Sequence, residues 1–202
     1  MVTVLLMNYK RRENLNKIIL ALKSQTIPCE IFVWNNAPEP FVHADVDWVL
    51  NSSDNVRCWP RWLMGTFAKN DYIMSHDDDL LITQHDALEC LIKEYKQFGK
   101  EGMALGPFGV ILGKDNLYFP KTLLDKGLQK LGASGIPQHL SHPLKSTKVD
   151  LIKGRMVFFK KSDLHKIPLF PMGPNDLAAG DDIVISAHLA HGALGHHLVT
   201  NR

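Results

Sequence analysis

The chain has 202 residues, 45% of them apolar and 22% charged, with a formal net charge of +2. This is the composition of an ordinary globular protein long enough to bury a core, which excludes disordered and fibrous classes. The near balance of charge argues against a nucleic-acid coat or an acidic tail, so no nucleic-acid partner is expected.

Cys29, Cys58 and Cys90 are widely spaced and include no CxxC pair. They make no disulfide framework, so reduced, buried thiols and a cytoplasmic setting are expected. No apolar run is long enough to cross a bilayer, so no membrane segment is expected in this chain. The opening Met1 to Met7 is too short for a signal sequence, and its basic residues follow rather than precede it.

Val2 to Met7 reads as a buried parallel strand. Leu15, Ile18, Ile19 and Leu22 recur at helical spacing, which predicts an amphipathic helix from about Glu13 to Ser24. Ile31 to Trp34 is a second strand, stopped by Asn35-Asn36-Ala37-Pro38. The βαβ order predicts a parallel sheet with a right-handed crossover. Trp48 to Leu50 is a short third strand, and a helix is expected around Trp59 to Ala68. A fourth strand, Asp71 to Ser75, leads into Asp77-Asp78-Asp79. Leu88, Leu91, Ile92 and Tyr95 predict another helix.

Residues 103–119 read as β structure with glycine turns, and 125–148 as a mobile loop. Val157 to Phe159 is a late strand. Gly180-Asp181-Asp182 opens a helix, and a last strand includes Leu198 to Thr200. Phe158, Phe159 and Trp34 are expected in the core.

Three adjacent carboxylates at the end of a strand gather negative charge where an open α/β sheet binds its ligands. A bound cation relieves their repulsion, and oxygen ligands suit Mn²⁺ or Mg²⁺ shared with substrate phosphates. A solvated turn is the plainer explanation of such a run. Asp181-Asp182 has a plainer reading too, as a helix N-cap favoured by the helix dipole. Two acidic clusters, each at a strand-to-helix junction, favour a shared site.

The loop after the first strand lacks both the dinucleotide fingerprint and the Walker phosphate loop. It offers Asn8, Tyr9, Lys10 and Arg11, which can hold a base and approach phosphates. Asn36 ends the second strand's signal. Asn55, Arg57 and Arg61 follow the third strand, and the arginine fork matches a diphosphate. Among the late histidines His188, His191, His196 and His197, the pair before the last strand is the better source of a metal ligand, and His196 is taken as that ligand.

These segments, taken in order, resemble the GT-A glycosyltransferases, and within them the exostosin-like transferases. Val2 to Arg11 resembles the opening strand and nucleotide loop. Ile31 to Asn36 looks like the second-strand signature, Asn55 to Arg61 like the Asn/Arg segment, and Tyr72 to Asp79 like the DXD element. Ile152 to Phe159 is similar to the acceptor-side strand, and Gly180 to Val184 matches the late acidic pair. The segment 125–148 has no counterpart, and the QxxRW signature of many inverting enzymes is absent. The resemblance is also compatible with a virus-encoded sugar transferase and with an excised catalytic domain ending just past the last family element.

The resemblance implies an α/β, Rossmann-like GT-A fold. That fold is an open, mostly parallel sheet flanked by helices, with a smaller acceptor-side β portion. Residues 1–202 would form one catalytic domain, with 1–100 holding nucleotide sugar and metal and 101–202 facing the acceptor. The implied reaction moves a sugar from a UDP-sugar donor to a glycan or glycoprotein hydroxyl, with Mn²⁺ or Mg²⁺, and relatives of this type retain configuration. Asp77 and Asp79 carry over as the metal pair, with Asp78 between them. Asp182, or its neighbour Asp181, would sit near the reacting sugar and acceptor, as general base if the enzyme inverts or as a stabiliser of positive charge if it retains.

Two other classes remain in view. A metal phosphohydrolase or phosphotransferase would place an Asp after the first strand, where this chain has Asn8. A non-catalytic nucleotide-sugar-binding module would have lost an acidic cluster, and both are present.

Overall fold

A computed structural model of the chain describes residues 1–130, 132–168 and 180–200. The opening apolar run forms β1 (Val2–Asn8), and every residue in it is buried. The helical stripe becomes α1 (Arg12–Lys23), which buries Leu15, Ile18, Ile19 and Leu22. β2 (Cys29–Asn35) and β3 (Trp48–Asn51) follow, then the short α2 (Pro60–Gly65) and β4 (Tyr72–His76). α3 (Ala87–Phe98) buries Leu88, Leu91 and Tyr95. β5 (Ala104–Gly106) and β6 (Phe108–Ile111) come next.

The expected β structure over 103–119 stops at Ile111 and gives way to a 3₁₀ turn at Lys114–Asn116. The expected loop over 125–148 is instead structured. It holds most of α4 (Leu123–Lys130), β7 (Gln138–Ser141) and most of β8 (Thr147–Val149). The start of α4 has a local cause. Thr122 and Asp125 bond each other's backbone N–H reciprocally, at 3.0 and 3.1 Å, as in a capping box. β7 and β8 have distant causes, since their partners are β6 and the last strand.

β9 (Leu151–Ile152) and β10 (Met156–Lys160) lead to α5 (Asp181–Leu189) and β11 (His197–Val199). The main sheet has the order β3-β2-β1-β4-β10-β5-β11-β8. β10 runs antiparallel to β4 and β5, β8 runs antiparallel to β11, and the other pairings are parallel. A second sheet, β7-β6-β9, is antiparallel. One face of the main sheet packs α1 and α3, with Leu15, Ile19, Leu88 and Tyr95 against Val4, Met74 and Phe158. The other packs α2 and α5, with Trp62 and Ile185 against Leu5, Ile73 and Phe159. Phe158 and Phe159 are buried on opposite faces, and Trp34 is half-buried beside the second core.

The cysteines form no disulfide, but only Cys29 is buried. Cys58 is exposed and Cys90 half-buried, because both fall on solvent-side positions of a loop and a helix. Among the described residues no helix is long and apolar enough to cross a membrane.

Candidate functional site

Parallel strands aim their carboxyl ends at one edge, and the candidate site is built there. Asn8, Asn35 and Asn51 end β1, β2 and β3 and are partners in register. Asn8 Nδ2 donates to Asn35 Oδ1 at 2.6 Å, and Asn35 Nδ2 donates to Asn51 Oδ1 at 2.9 Å. This amide ladder ties the three strand ends together. Asn8 Oδ1 is left buried without a hydrogen-bond partner. A buried acceptor of this kind costs stability until a donor reaches it, and it stands where the sequence expects a base.

Asn36 turns to the next loop. Its Nδ2 donates to the Arg57 carbonyl at 3.0 Å, and its Oδ1 accepts the Val56 N–H at 3.2 Å. Asn55 Oδ1 accepts the Arg57 N–H at 3.1 Å, and Arg57 takes a left-handed φ of 64°. Asn36 and Asn55 therefore shape the loop that presents the exposed Arg57. Tyr9 is exposed, with Lys10 Nζ 5.1 Å from its ring centre.

Arg61 is not the open phosphate arm that the sequence reading expects. It is 3% exposed, because α2 turns it onto β4. Its Nη1 donates to Ser75 Oγ at 2.9 Å and to Asp77 Oδ1 at 2.6 Å. Burial works against its charge, but the carboxylates of Asp77 and then Asp181 outweigh it and raise its pKa. Arg61 is thus a strut beneath the acidic triplet. Above it, the Asp77 N–H donates to the Arg155 carbonyl at 2.9 Å.

Asp78 and Asp79 meet Arg11 instead. Arg11 Nη1 lies 2.7 Å from Asp78 Oδ1 and 3.8 Å from Asp79 Oδ2. Among the described residues no group of three His, Cys, Asp or Glu side chains converges as a metal cage. The donor set fits a different kind of ion. Asp77 and Asp79 supply hard oxygens at an open edge, and a protein cation already answers the triplet's charge. Such a set suits Mg²⁺ or Mn²⁺, which keep water and take further ligands from phosphate.

The late pair comes to the same place from the other side. The N-cap of α5 is Gly180, at φ 93°, so Asp181 and Asp182 lie in the first turn rather than at the cap. Asp181 Oδ2 accepts the Trp62 indole N–H at 3.1 Å. Asp182 Oδ2 accepts the Gly154 N–H at 3.0 Å, and Oδ1 that of Ile183 at 3.0 Å. Burial pushes the Asp182 carboxyl above its usual range, although the Gly154 bond opposes this. A Cβ at position 154 would stand 3.1 Å from Asp182 Cβ, so a larger residue there would push Asp182 by a few tenths of an ångström.

His196 does not join them. It precedes β11, which runs parallel to β5 and hence to β4, so it lies at the amino edge of the sheet. There it bonds the Glu101 carbonyl at 2.9 Å. Sequence reasoning gave no individual role to Trp62, Ser75, Lys153 or Arg155, although the last three lie within segments that carry the resemblance. The last two flank the glycine at 154 just before β10, and that pattern is visible in the chain. Arg155 is exposed, its guanidinium 5.4 Å from the Phe108 ring centre.

No family model matches the sequence, and no curated protein matches it. Solved structures do. The mannosyltransferase PcManGT from Pyrobaculum calidifontis, in complex with GDP-Man and Mn²⁺, is similar to 100% of this chain at 14% identity, with a TM-score of 0.62. TarS of S. aureus matches 98% of the chain at 12% identity and a TM-score of 0.61. TarS 1-349 in complex with UDP matches 99% at 12% identity and 0.58. The fold is GT-A-like. The chain spans 54%, 34% and 57% of the lengths of these three chains.

Proposed function

We propose that this chain is a glycosyltransferase that moves a sugar from a UDP-sugar to a glycan or glycoprotein hydroxyl, with retention, as exostosin-like enzymes do. The observation that carries the reading is the meeting of two acidic clusters over adjacent residues of α2. Arg61 holds Asp77 and Trp62 holds Asp181. Their meeting at the carboxyl edge of the parallel strands supports reading the two clusters as one site.

Asp77 and Asp79 are the residues that would hold Mn²⁺ or Mg²⁺, whose charge would offset that of the departing diphosphate. Arg57 and Arg155, both exposed, add cations at this edge. Asn8 offers its unpartnered Oδ1 to an N–H donor such as that of a uracil base. Asp182 would steady positive charge developing at the anomeric carbon, and its partly buried carboxylate would act more strongly there than in open solvent. A phosphohydrolase reading loses support at Asn8, which is tied into the amide ladder where a nucleophile would stand.

The test is calorimetry of UDP with and without Mn²⁺, followed by release of UDP from UDP-sugars. Metal-dependent UDP binding tighter than ADP binding, with donor turnover lost in chelator, is expected. Equal affinity for ADP would defeat the uridine assignment, and full turnover in excess chelator would defeat the metal assignment.

A further inference from the structure

Against the second sheet stands a group of rings outside the contacts of either acidic cluster. Tyr118 and Phe119 are edge-to-face with centroids 4.6 Å apart. His139, on β7, completes the group, 5.0 Å from Tyr118 and stacked on Phe119 at 5.7 Å. His139 Nε2 donates to the Tyr118 carbonyl at 2.9 Å, which locks the ring and leaves Nδ1 as an acceptor. Phe119 is nevertheless 68% exposed. An aromatic ring fixed by its neighbours and open to solvent is a surface prepared for an apolar face.

The local chain builds this surface. The 3₁₀ turn before it places Asp115 and Asn116 at φ 58°, and the Gly113 N–H closes onto the Leu117 carbonyl at 2.8 Å. Asp and Asn are among the few residues that tolerate the left-handed region, so the turn is specified by its sequence. It delivers Tyr118 and Phe119 directly after itself.

The position relative to the late acidic pair follows from register. His139 pairs with Val110 of β6, and Val110 pairs with Leu151 of β9 on its other side. β9 runs on to Gly154, whose N–H is bonded to Asp182. Two strand spacings, about 10 Å, separate β7 from β9, and Gly154 lies three residues, about 10 Å, further along the chain from Leu151. Tyr118 also feels the site: burial first, and then the Asp182 carboxylate, push its hydroxyl up.

We propose that Tyr118, Phe119 and His139 form a stacking platform for a pyranose ring of the acceptor, against the second sheet, whose strand β9 leads to Gly154 and Asp182. The chemistry of a sugar ring matches the surface. One face of a pyranose presents C–H bonds, which pack on the negative face of an aromatic ring. Its rim presents hydroxyls, for which the Tyr118 hydroxyl and His139 Nδ1 are hydrogen-bond partners. That this sugar is an acceptor rests on the glycosyltransferase reading; the platform itself does not.

The experiment uses the full chain and two readouts. Saturation-transfer NMR with a panel of methyl α- and β-glycosides tests the platform directly. Ring-proton signals from at least one glycoside are expected with the native chain, lost in Phe119→Ala and kept in Phe119→Trp. No signal from any glycoside, or an unchanged signal in Phe119→Ala, overturns the platform. Release of UDP and transfer to the bound glycoside form the second readout. Phe119→Ala should raise the acceptor KM about tenfold while donor hydrolysis stays within twofold. A chain that binds glycosides through Phe119 yet turns over no nucleotide sugar overturns the transferase reading and leaves the platform standing.

Discussion

Arg61 and Asp77 are joined at 2.6 Å with the guanidinium almost wholly inside the protein and the carboxylate at its edge. The first member of the acidic triplet is therefore a structural partner of α2. Removing its charge strands a buried cation, a change that costs several kcal/mol where burial is complete. Asp77→Asn should lower unfolding stability by about 3 kcal/mol in urea titration. Asp79→Asn should cost under about 1 kcal/mol, since Asp79 is exposed and its pairing with Arg11 stands at the outer limit of an ion pair. Equal losses in the two variants would show that Arg61 does not depend on Asp77.

Arg11 sits on the triplet in the place of a cation, bonded to Asp78 and close to Asp79. On the proposed reading, a divalent ion at the triplet has to compete with it. Arg11→Gln should therefore tighten Mn²⁺ binding to the chain without nucleotide by severalfold at low salt. The gain should shrink at high salt, because both charges are solvent-exposed and screened. Calorimetry at two ionic strengths reads both effects. Unchanged Mn²⁺ affinity at low salt would show that Arg11 and the ion do not share carboxylates.

His197 gives the fold a pH dependence. Its Nδ1 accepts the Ala104 N–H at 3.0 Å and its Nε2 donates to the Ser186 carbonyl at 2.9 Å, which fixes the neutral tautomer. Burial pushes its pKa down to about 4. Between that value and the unfolded value near 6.5, the unfolded chain binds a proton that the folded chain refuses. Stability is thus full above about pH 6.5 and falls as pH drops toward 4. The loss from this group should reach about 2 kcal/mol by pH 5. His197→Gln, which can offer the same acceptor and donor, should flatten that part of the curve in denaturant titrations between pH 7 and 4.5. An unchanged slope would assign the pH dependence to other groups.

The parts of the fold that were legible are those whose patterns are local. β1 announces itself by a continuous apolar run and α1 by Leu15, Ile18, Ile19 and Leu22 on one stripe. β7 and β8 do not, because four- and three-residue strands take their stability from β6 and β11, far along the chain. The Thr122–Asp125 cap was readable and marks the start of α4. In the site, the acidic clusters were visible as composition, but their meeting through Arg61 and Trp62 is tertiary. The burial of Arg61 depends on Ser75 and Asp77 facing α2. His196 was assigned to the wrong edge because the direction of β11 cannot be read from its sequence. Once β11 is known to run parallel to β5, a residue before it must lie away from Asp77.

The two acidic clusters should separate by role. Asp182 is partly buried and accepts two backbone N–H groups, those of Gly154 and Ile183. Asn at 182 keeps one accepting oxygen and turns an amide toward the other N–H, so a loss of about 1 kcal/mol in stability is expected. Turnover should fall by roughly a hundredfold or more, the scale for a positioned electrostatic or acid–base group. Affinity for UDP with Mn²⁺ should stay nearly unchanged, because Asp182 contacts the β9–β10 loop rather than the triplet. Asp79→Asn should do the reverse, weakening nucleotide–metal binding itself. Calorimetry and single-turnover kinetics on the two variants distinguish the roles. Normal turnover in Asp182→Asn would reduce this carboxylate to a tether for Gly154 and pass the catalytic role to Asp181. Damage to UDP–Mn²⁺ binding in Asp182→Asn would mean that the late pair belongs to the donor half after all.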